Sequence, residues 1–275
     1  ERAPGPGAGN GDLDGQFAIG TNRNGILLSS GLFTGNVTSS GSTTIEGNNS
    51  AGILLNGSLI GDLSSTGSMA ITGDNTYGIA LTGGLANPLT GNVNASGGGA
   101  IHGANATGLL VGAPVTGNVS VNGAWTVSGY RNTSRPADVS HLDADDLLQG
   151  GSAVDVRFGV GQGVTIAGVG VEQDASENAA TATLTAFGSA PTIHIAAGAT
   201  ADVVLGADSH GFGLDVRGGV FAAGVYDGVV ATAVRIEGSG AHSVTVTGGA
   251  AFDNLLSATA IEANAYGVYI GANAN

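Results

Sequence analysis

Four consecutive stretches of this chain share one register. Residues 22–47 read NRNGILLSSGLFTGNVTSSGSTTIEG, residues 49–73 read NSAGILLNGSLIGDLSSTGSMAITG, residues 75–103 read NTYGIALTGGLANPLTGNVNASGGGAIHG, and residues 105–129 read NATGLLVGAPVTGNVSVNGAWTVSG. A chain that repeats one short unit must stack that unit on itself, because no single copy can bury its own apolar face. Three anchors carry the register. They are a Gly before aliphatics (Gly25, Gly52, Gly78, Gly108), Gly-Asn/Asp-aliphatic (Gly35, Gly61, Gly91, Gly117) and aliphatic-polar-Gly (Gly47, Gly73, Gly103, Gly129). The second and third anchors advance in lockstep: each interval from Gly35 to Gly117 equals the matching interval from Gly47 to Gly129. The longer third copy carries its extra residues around Asn87 and Pro88, where a loop would absorb them.

Each copy holds three short extended segments. Val119-Ser120-Val121 alternates apolar and polar, which is strand patterning, and Ile26-Leu27-Leu28 is a short apolar run that suits a more buried strand. No window repeats apolar residues every 3.6 positions. The expected fold is all-β: a right-handed parallel β-solenoid with three strands per rung, the hand following the general preference of parallel crossovers. If the interval of the four copies held throughout, the 275 residues would make nine or ten rungs. Ile45, Ile71, Ile101 and Val127 form one inward column, and Val37, Leu63, Val93 and Val119 another. Asn22, Asn49, Asn75 and Asn105 stand three residues before the first Gly, and Asn264 before Gly267 repeats that spacing. Asn at such positions reads as a corner residue.

Composition agrees with tight, regular turning: 51 Gly, 10% charged and 5% aromatic residues, and no Gly-X-Y period. There is no Cys, which excludes a disulfide scaffold. The seven basic residues are all Arg and the formal charge is −14, which argues against nucleic acid or an anionic membrane as a partner. No apolar run is long enough to insert in a bilayer. Residues 11–20 match the end of a rung without its beginning, and 264–271 the start of one without its end, so a longer parent chain is expected.

Three regions follow: regular repeats over 1–129, an acidic loop insertion over 130–149, and a less regular solenoid over 150–275 with a second acidic loop at 169–180. Asp143, Asp145 and Asp146 are close enough in sequence to raise a calcium site. Their spacing fits neither an EF-hand loop nor the calcium-binding nonapeptide, and a solvated loop is expected, with one or two helical turns over 140–149. Asp155 with Arg157 and Asp215 with Arg217 belong to echoing segments, Ala153–Arg157 and Gly213–Arg217, and are expected to stack as an exposed ionic ladder. Ala233–Glu237 is a looser echo.

The stretch 130–151 (YRNTSRPADVSHLDADDLLQGG), Gly213–Phe221 (GLDVRGGVF) with Val234–Gly238 (VRIEG), and Glu262–Gly271 (EANAYGVYIG) are more specific. With the opening repeats they resemble the passenger region of bacterial autotransporters, in the Gly/Ala-rich alphaproteobacterial style. The resemblance implies a surface or extracellular location on a Gram-negative bacterium and an outer-membrane barrel in the parent chain. Passengers differ in activity, so it places the chain without assigning a task.

Chemistry is sparse. Over residues 22–129 the acids are only Glu46, Asp62 and Asp74 and the sole Arg is Arg23, so nothing there pairs for acid/base work. His102, His141, His194, His210 and His242 show no metal-ligand spacing. No catalytic, metal or cofactor residue is assigned, and no cofactor is expected. The repeats offer instead stacked polar groups: Asn36, Thr38 and Ser40; Asp62, Ser64 and Thr66; Asn92, Asn94 and Ser96; Asn118, Ser120 and Asn122. The glycosylation triplets at Asn36, Asn48, Asn56, Asn94, Asn105, Asn118 and Asn132 occur at the rate such a composition produces by chance.

The expected function is a non-enzymatic structural or adhesive segment making many weak polar contacts with glycans, other cells or further copies of itself. Alternatives are the scaffold part of a surface polysaccharide-active enzyme, which a carboxylate cluster over three adjacent rungs would favour, or a filament subunit stacking end to end.

Overall fold

The computed structural model describes residues 17–140, 142–168 and 181–275. They form a parallel β-solenoid: every strand-to-strand pairing between named strands is parallel. The second coil shows the plan, with strands Ala51–Leu55, Ser58–Ile60, Leu63–Ser65 and Met69–Thr72. The first strands of successive coils build an eight-stranded sheet from Asn24–Leu28 to Ala265–Ile270. The strands equivalent to Leu63–Ser65 and to Met69–Thr72 build two seven-stranded sheets. There are thus seven coils and the start of an eighth among the described residues.

The count falls below nine or ten because coils lengthen after the fourth repeat. The inward position of the first sheet passes through Ile79, Leu109, Val154, Ile193, Val234 and Val268, and every step beyond Leu109 is longer than the step that reaches it. The longest, from Leu109 to Val154, contains the 130–149 insertion. Its described residues form turns and no helix, which corrects the expected helical turns. The 169–180 loop, His141 and residues 1–16 lie outside the described residues.

The expected columns exist and continue. Ile45, Ile71, Ile101 and Val127 pass on to Ala186, Ala222 and Ala258. Val37, Leu63, Val93 and Val119 pass on to Val164, Leu214 and Ala250. A fourth ladder is additional to the three strands expected per rung. Phe33, Leu59, Leu89, Val115, Val160, Leu205 and Val246 pair in sequence through strands of two or three residues or single bridges. Such pieces are too short to show an alternating pattern.

Coils two to seven share one apolar core, in which Leu63, Ile79, Leu109, Val154 and Ile193 are fully buried. Each such side chain contributes roughly 1.5–3 kcal/mol. The core adapts its volume locally. Gly99 lies in register between Met69 and Trp125, and the Trp125 ring fills the space that Gly99 leaves. A Cβ at Gly78 would meet Trp125 Cζ3 at 2.6 Å and the Gly108 carbonyl oxygen at 2.7 Å, so the Gly anchor of the repeat marks close packing.

Asn22, Asn49, Asn75 and Asn105 are the corner residues, with φ of 55°, 52°, 53° and 56°. This left-handed conformation is one that Asn tolerates better than most side chains. Asn264 does not repeat the role. The preceding strand, Leu256–Ile261, is longer than its counterpart Met69–Thr72, and the left-handed residue falls earlier, at Glu262 with φ 53°.

A charge inside a shared column disturbs the coils on both sides, whereas a polar group facing out does not. Ile71→Asp should lower the melting temperature by many degrees, and Ser64→Ala should leave it nearly unchanged, within the ~0.5 kcal/mol usual for surface changes. Equal melting temperatures would contradict the packing described.

Candidate functional site

The polar ladder of the second sheet separates into structural and free positions. Asn36, Asp62, Asn92 and Asn118 stand at the corner before the strand. There the Asp62 N–H donates to Asn36 Oδ1 at 2.9 Å, the Asn92 N–H to Asp62 Oδ1 at 2.8 Å and the Asn118 N–H to Asn92 Oδ1 at 3.0 Å. The side chains of Asn36, Asp62 and Asn92 each close an otherwise orphaned backbone donor on the next coil, while the Asn118 amide donates instead to the Gln162 and Gly163 carbonyls, which is why the position takes Asn or Asp. Asn48 does the same, accepting from the Asp74 N–H at 2.8 Å. Thr38, Ser64, Asn94, Ser120 and Thr165 form the middle column, which faces out. That column, with the exposed Ser40 and Thr66 at the end of the same strands, is the part of the ladder a partner can reach.

The first sheet presents a different face. Its outward column runs Leu27, Leu54, Ala80, Leu110, Asp155, His194, Arg235 and Tyr269, changing from aliphatic to ionic at the fifth coil. The carboxylate of Asp155 accepts from Arg157 Nε at 2.6 Å and lies 3.4 Å from His194 Nδ1. On the other side, His194 Nε2 lies 3.4 Å from Glu237 Oε1, and Arg235 donates to Glu237 Oε2 at 2.7 Å. The Arg235 guanidinium also sits 4.9 Å from the Tyr269 ring centroid. This line therefore spans three adjacent coils. An open groove of about 760 Å³ runs beside it, with Tyr77, Asn105, Asp155, Arg157 and His194 among its walls.

The expected stacking of Asp155 on Asp215 does not occur. One coil on from Asp155 the same position holds His194, and one further on it holds Arg235. Asp215 falls between those two in the chain, part of the way round a coil. That carries it to the second sheet, where it pairs in register with Thr165. The looser echo, Ala233–Glu237, is the one that shares the face of Asp155. The Asp/Arg pairs are not uniformly exposed either, since Asp215 is fully buried and Arg217 nearly so.

Asp215 anchors a third cluster. His210 Nδ1 lies 3.1 Å from Asp215 Oδ2 and 3.3 Å from Asp208 Oδ2. Asp208 Oδ1 accepts from the backbone N–H groups of His210 at 2.8 Å and Phe212 at 3.1 Å, while Arg217 Nε donates to both oxygens of Asp215. A groove of about 410 Å³ opens beside Asp208 and His210, walled by Asn118, Ser120, Gln162 and Thr165. The placement of these residues on a loop and on a strand hid the grouping. A His two residues after an Asp in a turn was the available signal.

Burial and hydrogen bonding set the carboxyls apart. Burial raises Asp155, but hydrogen bonds from His194 and Arg157 outweigh it and hold the group below its ordinary 3.8. Glu237 is likewise raised by burial and held low by Arg235 and His194. Asp208, raised by burial, is lowered more by the Phe212 and His210 N–H groups. Asp215 goes the other way, because burial outweighs Arg217 and Asp208 adds repulsion. Opposed shifts characterise general acid/base pairs, but a fully buried Asp215 offers no oxygen to a substrate.

Most of the described 130–149 insertion is exposed, as expected of a solvated loop, but two of its acids pair with Arg131. Arg131 donates to Asp145 Oδ2 at 2.7 Å and lies 4.0 Å from Asp146 Oδ1, and Asp146 is almost fully buried. Tyr130 packs on Tyr226 at 4.6 Å between ring centroids, its hydroxyl pushed up to about 12 chiefly by burial, and Arg135 pairs with Asp227 at 2.7 Å. The insertion thus straps the fourth coil to the sixth.

No family model, no curated protein and no solved structure matches this chain.

Groups with lowered folded pKa stabilise the fold above their unfolded pKa, and that contribution is lost as pH falls through the folded value. For Asp155 and Glu237 the loss lies in the acid range, beginning near their ordinary values of 3.8 and 4.5. Melting temperature should therefore fall on acidification below about pH 4.5. Asp155→Asn, less stable at neutral pH, should show a shallower acid limb. Parallel acid limbs for the two proteins would contradict this assignment.

Proposed function

We propose that this chain is a non-enzymatic segment of a bacterial surface or extracellular protein, of the autotransporter-passenger kind, with an outer-membrane barrel elsewhere in its parent. It acts by reach and by many weak polar contacts. The observation that carries this reading is the outward column Thr38, Ser64, Asn94, Ser120 and Thr165, one polar side chain per coil at the ~4.8 Å strand spacing. A periodic surface of this kind suits a periodic partner, such as a glycan chain. Repetition converts weak single contacts into avidity. The formal charge of −14 favours neutral or cationic partners and disfavours nucleic acid and anionic membranes.

The ionic line from Asp155 through His194 to Glu237 favours a second reading, a polysaccharide-processing surface, because it gathers carboxylates and Arg over three adjacent coils. Both carboxyls are held low, which suits binding a sugar or a cation better than donating a proton.

The two readings separate experimentally. On arrays of bacterial and host polysaccharides, or on whole cells, the chain should bind without cleaving. The double variant Asn94→Arg with Ser120→Arg should weaken that binding tenfold or more while keeping the melting temperature. Release of new sugar ends, abolished by Asp155→Asn, would establish the second reading instead. Binding indifferent to the double variant would remove the first.

A further inference from the structure

We infer that Asp208, His210 and Asp215 form a binding site for a divalent transition-metal ion of the zinc type, open on one side to the groove lined by Asn118 and Gln162. One ligand atom from each of the three residues lies within 4.8 Å of the others. The spacing suits an ion of that size. Two ligand atoms each about 2.1 Å from a tetrahedral metal stand roughly 3.4 Å apart, and His210 Nδ1 stands 3.1 Å from Asp215 Oδ2 and 3.3 Å from Asp208 Oδ2.

The donors are held from behind. Asp208 uses Oδ1 for two backbone N–H groups, which leaves Oδ2 facing His210. The Thr165 hydroxyl reaches Asp208 Oδ2 at 3.4 Å and itself accepts from the Asn118 amide at 3.2 Å, a supporting layer of the sort that orients metal ligands. Arg217 Nε occupies one direction on each Asp215 oxygen. A carboxylate has about four acceptor directions, so Oδ2 retains one for the ion.

Position in the fold adds a second reason. The outward column of the second sheet runs Thr38, Ser64, Asn94, Ser120, Thr165, then Asp215 and Ala251. An acid replaces the small neutral residue only where the Asp208–His210 turn folds over it. Asp208 and Asp215 are close enough for their carboxylates to repel, and Asp215 is fully buried. A divalent cation relieves that repulsion. The imidazole selects the class, because calcium and magnesium take oxygen ligands, whereas zinc, cobalt and nickel accept nitrogen with carboxylate. Three protein ligands and an open side towards the groove leave a coordination position for water or for a ligand oxygen. The site shares Ser120 and Thr165 with the proposed contact column but does not depend on that reading.

The test uses the full chain, stripped with a chelator and titrated with zinc by calorimetry and with cobalt by visible absorption. One equivalent of zinc should bind, and cobalt should give the ligand-field bands of a low-coordinate site. His210→Ala and Asp208→Asn, both on the turn, should weaken binding tenfold or more while their metal-free melting temperatures stay close to the parent's. His242→Ala, which removes the imidazole lying 3.3 Å from Asp202, should bind zinc as the parent does. Absence of stoichiometric uptake by the parent, or uptake unchanged in His210→Ala, would overturn the site. Calcium bound as tightly as zinc and insensitive to His210→Ala would overturn it too.

Discussion

Backbone hydrogen bonding between coils is the constraint on which everything else in this molecule rests. A strand in this solenoid finds its partners in the coil above and the coil below, never in its own. Corners obey the same rule: Asp62 bonds back to Asn36 and Asp74 to Asn48 across the same interval. No coil can satisfy its own polar groups, and burying them unpaired would cost more than its few aliphatics return. The fold is therefore a one-dimensional array in which each unit is stable through its neighbours. Side-chain columns follow from backbone register, and the Gly positions follow from how closely the coils approach the inner side chains.

That constraint also divides the surface. In the first four coils corner side chains such as Asn36, Asn48, Asp62 and Asn92 serve the stack, and the outward-facing polar side chains of the second sheet are left to meet a partner. Ionic chemistry collects in coils five to seven, where the chain departs from its strict repeat. Longer coils supply turns such as Asp208–Phe212, and turns can fold a side chain over a sheet face. Asp155, His194 and Glu237 share one face; Asp208, His210 and Asp215 share another. Regularity provides length, and its interruptions provide the grouped titratable side chains.

Much of the fold was legible in the sequence because stacking writes itself as recurrence. The inward columns, the Asn corners and the placement of the extra residues of the third copy could all be read from four aligned copies. What could not be read depends on register between unequal coils. Asp155 and Asp215 sit in nearly identical pentapeptides, yet Asp215 falls between His194 and Arg235, the residues that continue the column of Asp155, so the two acids face different ways. The fourth ladder escaped because a single bridging residue such as Val115 or Val160 has no pattern of its own. Trp125 reads as an exception in its repeat, and only the three-dimensional register shows Gly99 making room for it. The Asp208–His210–Asp215 grouping is a product of the same folding-over and left no recurrence to find.

Hydrogen exchange on the intact chain, read residue by residue, tests the neighbour-stabilised array most directly. Protection should peak in the central strands Tyr77–Leu81, Thr107–Val111 and Val154–Val156 and decline coil by coil towards Asn24–Leu28 and Ala265–Ile270. Uniform protection from the first coil to the last, or faster exchange in the central coils than in the outer ones, would contradict it.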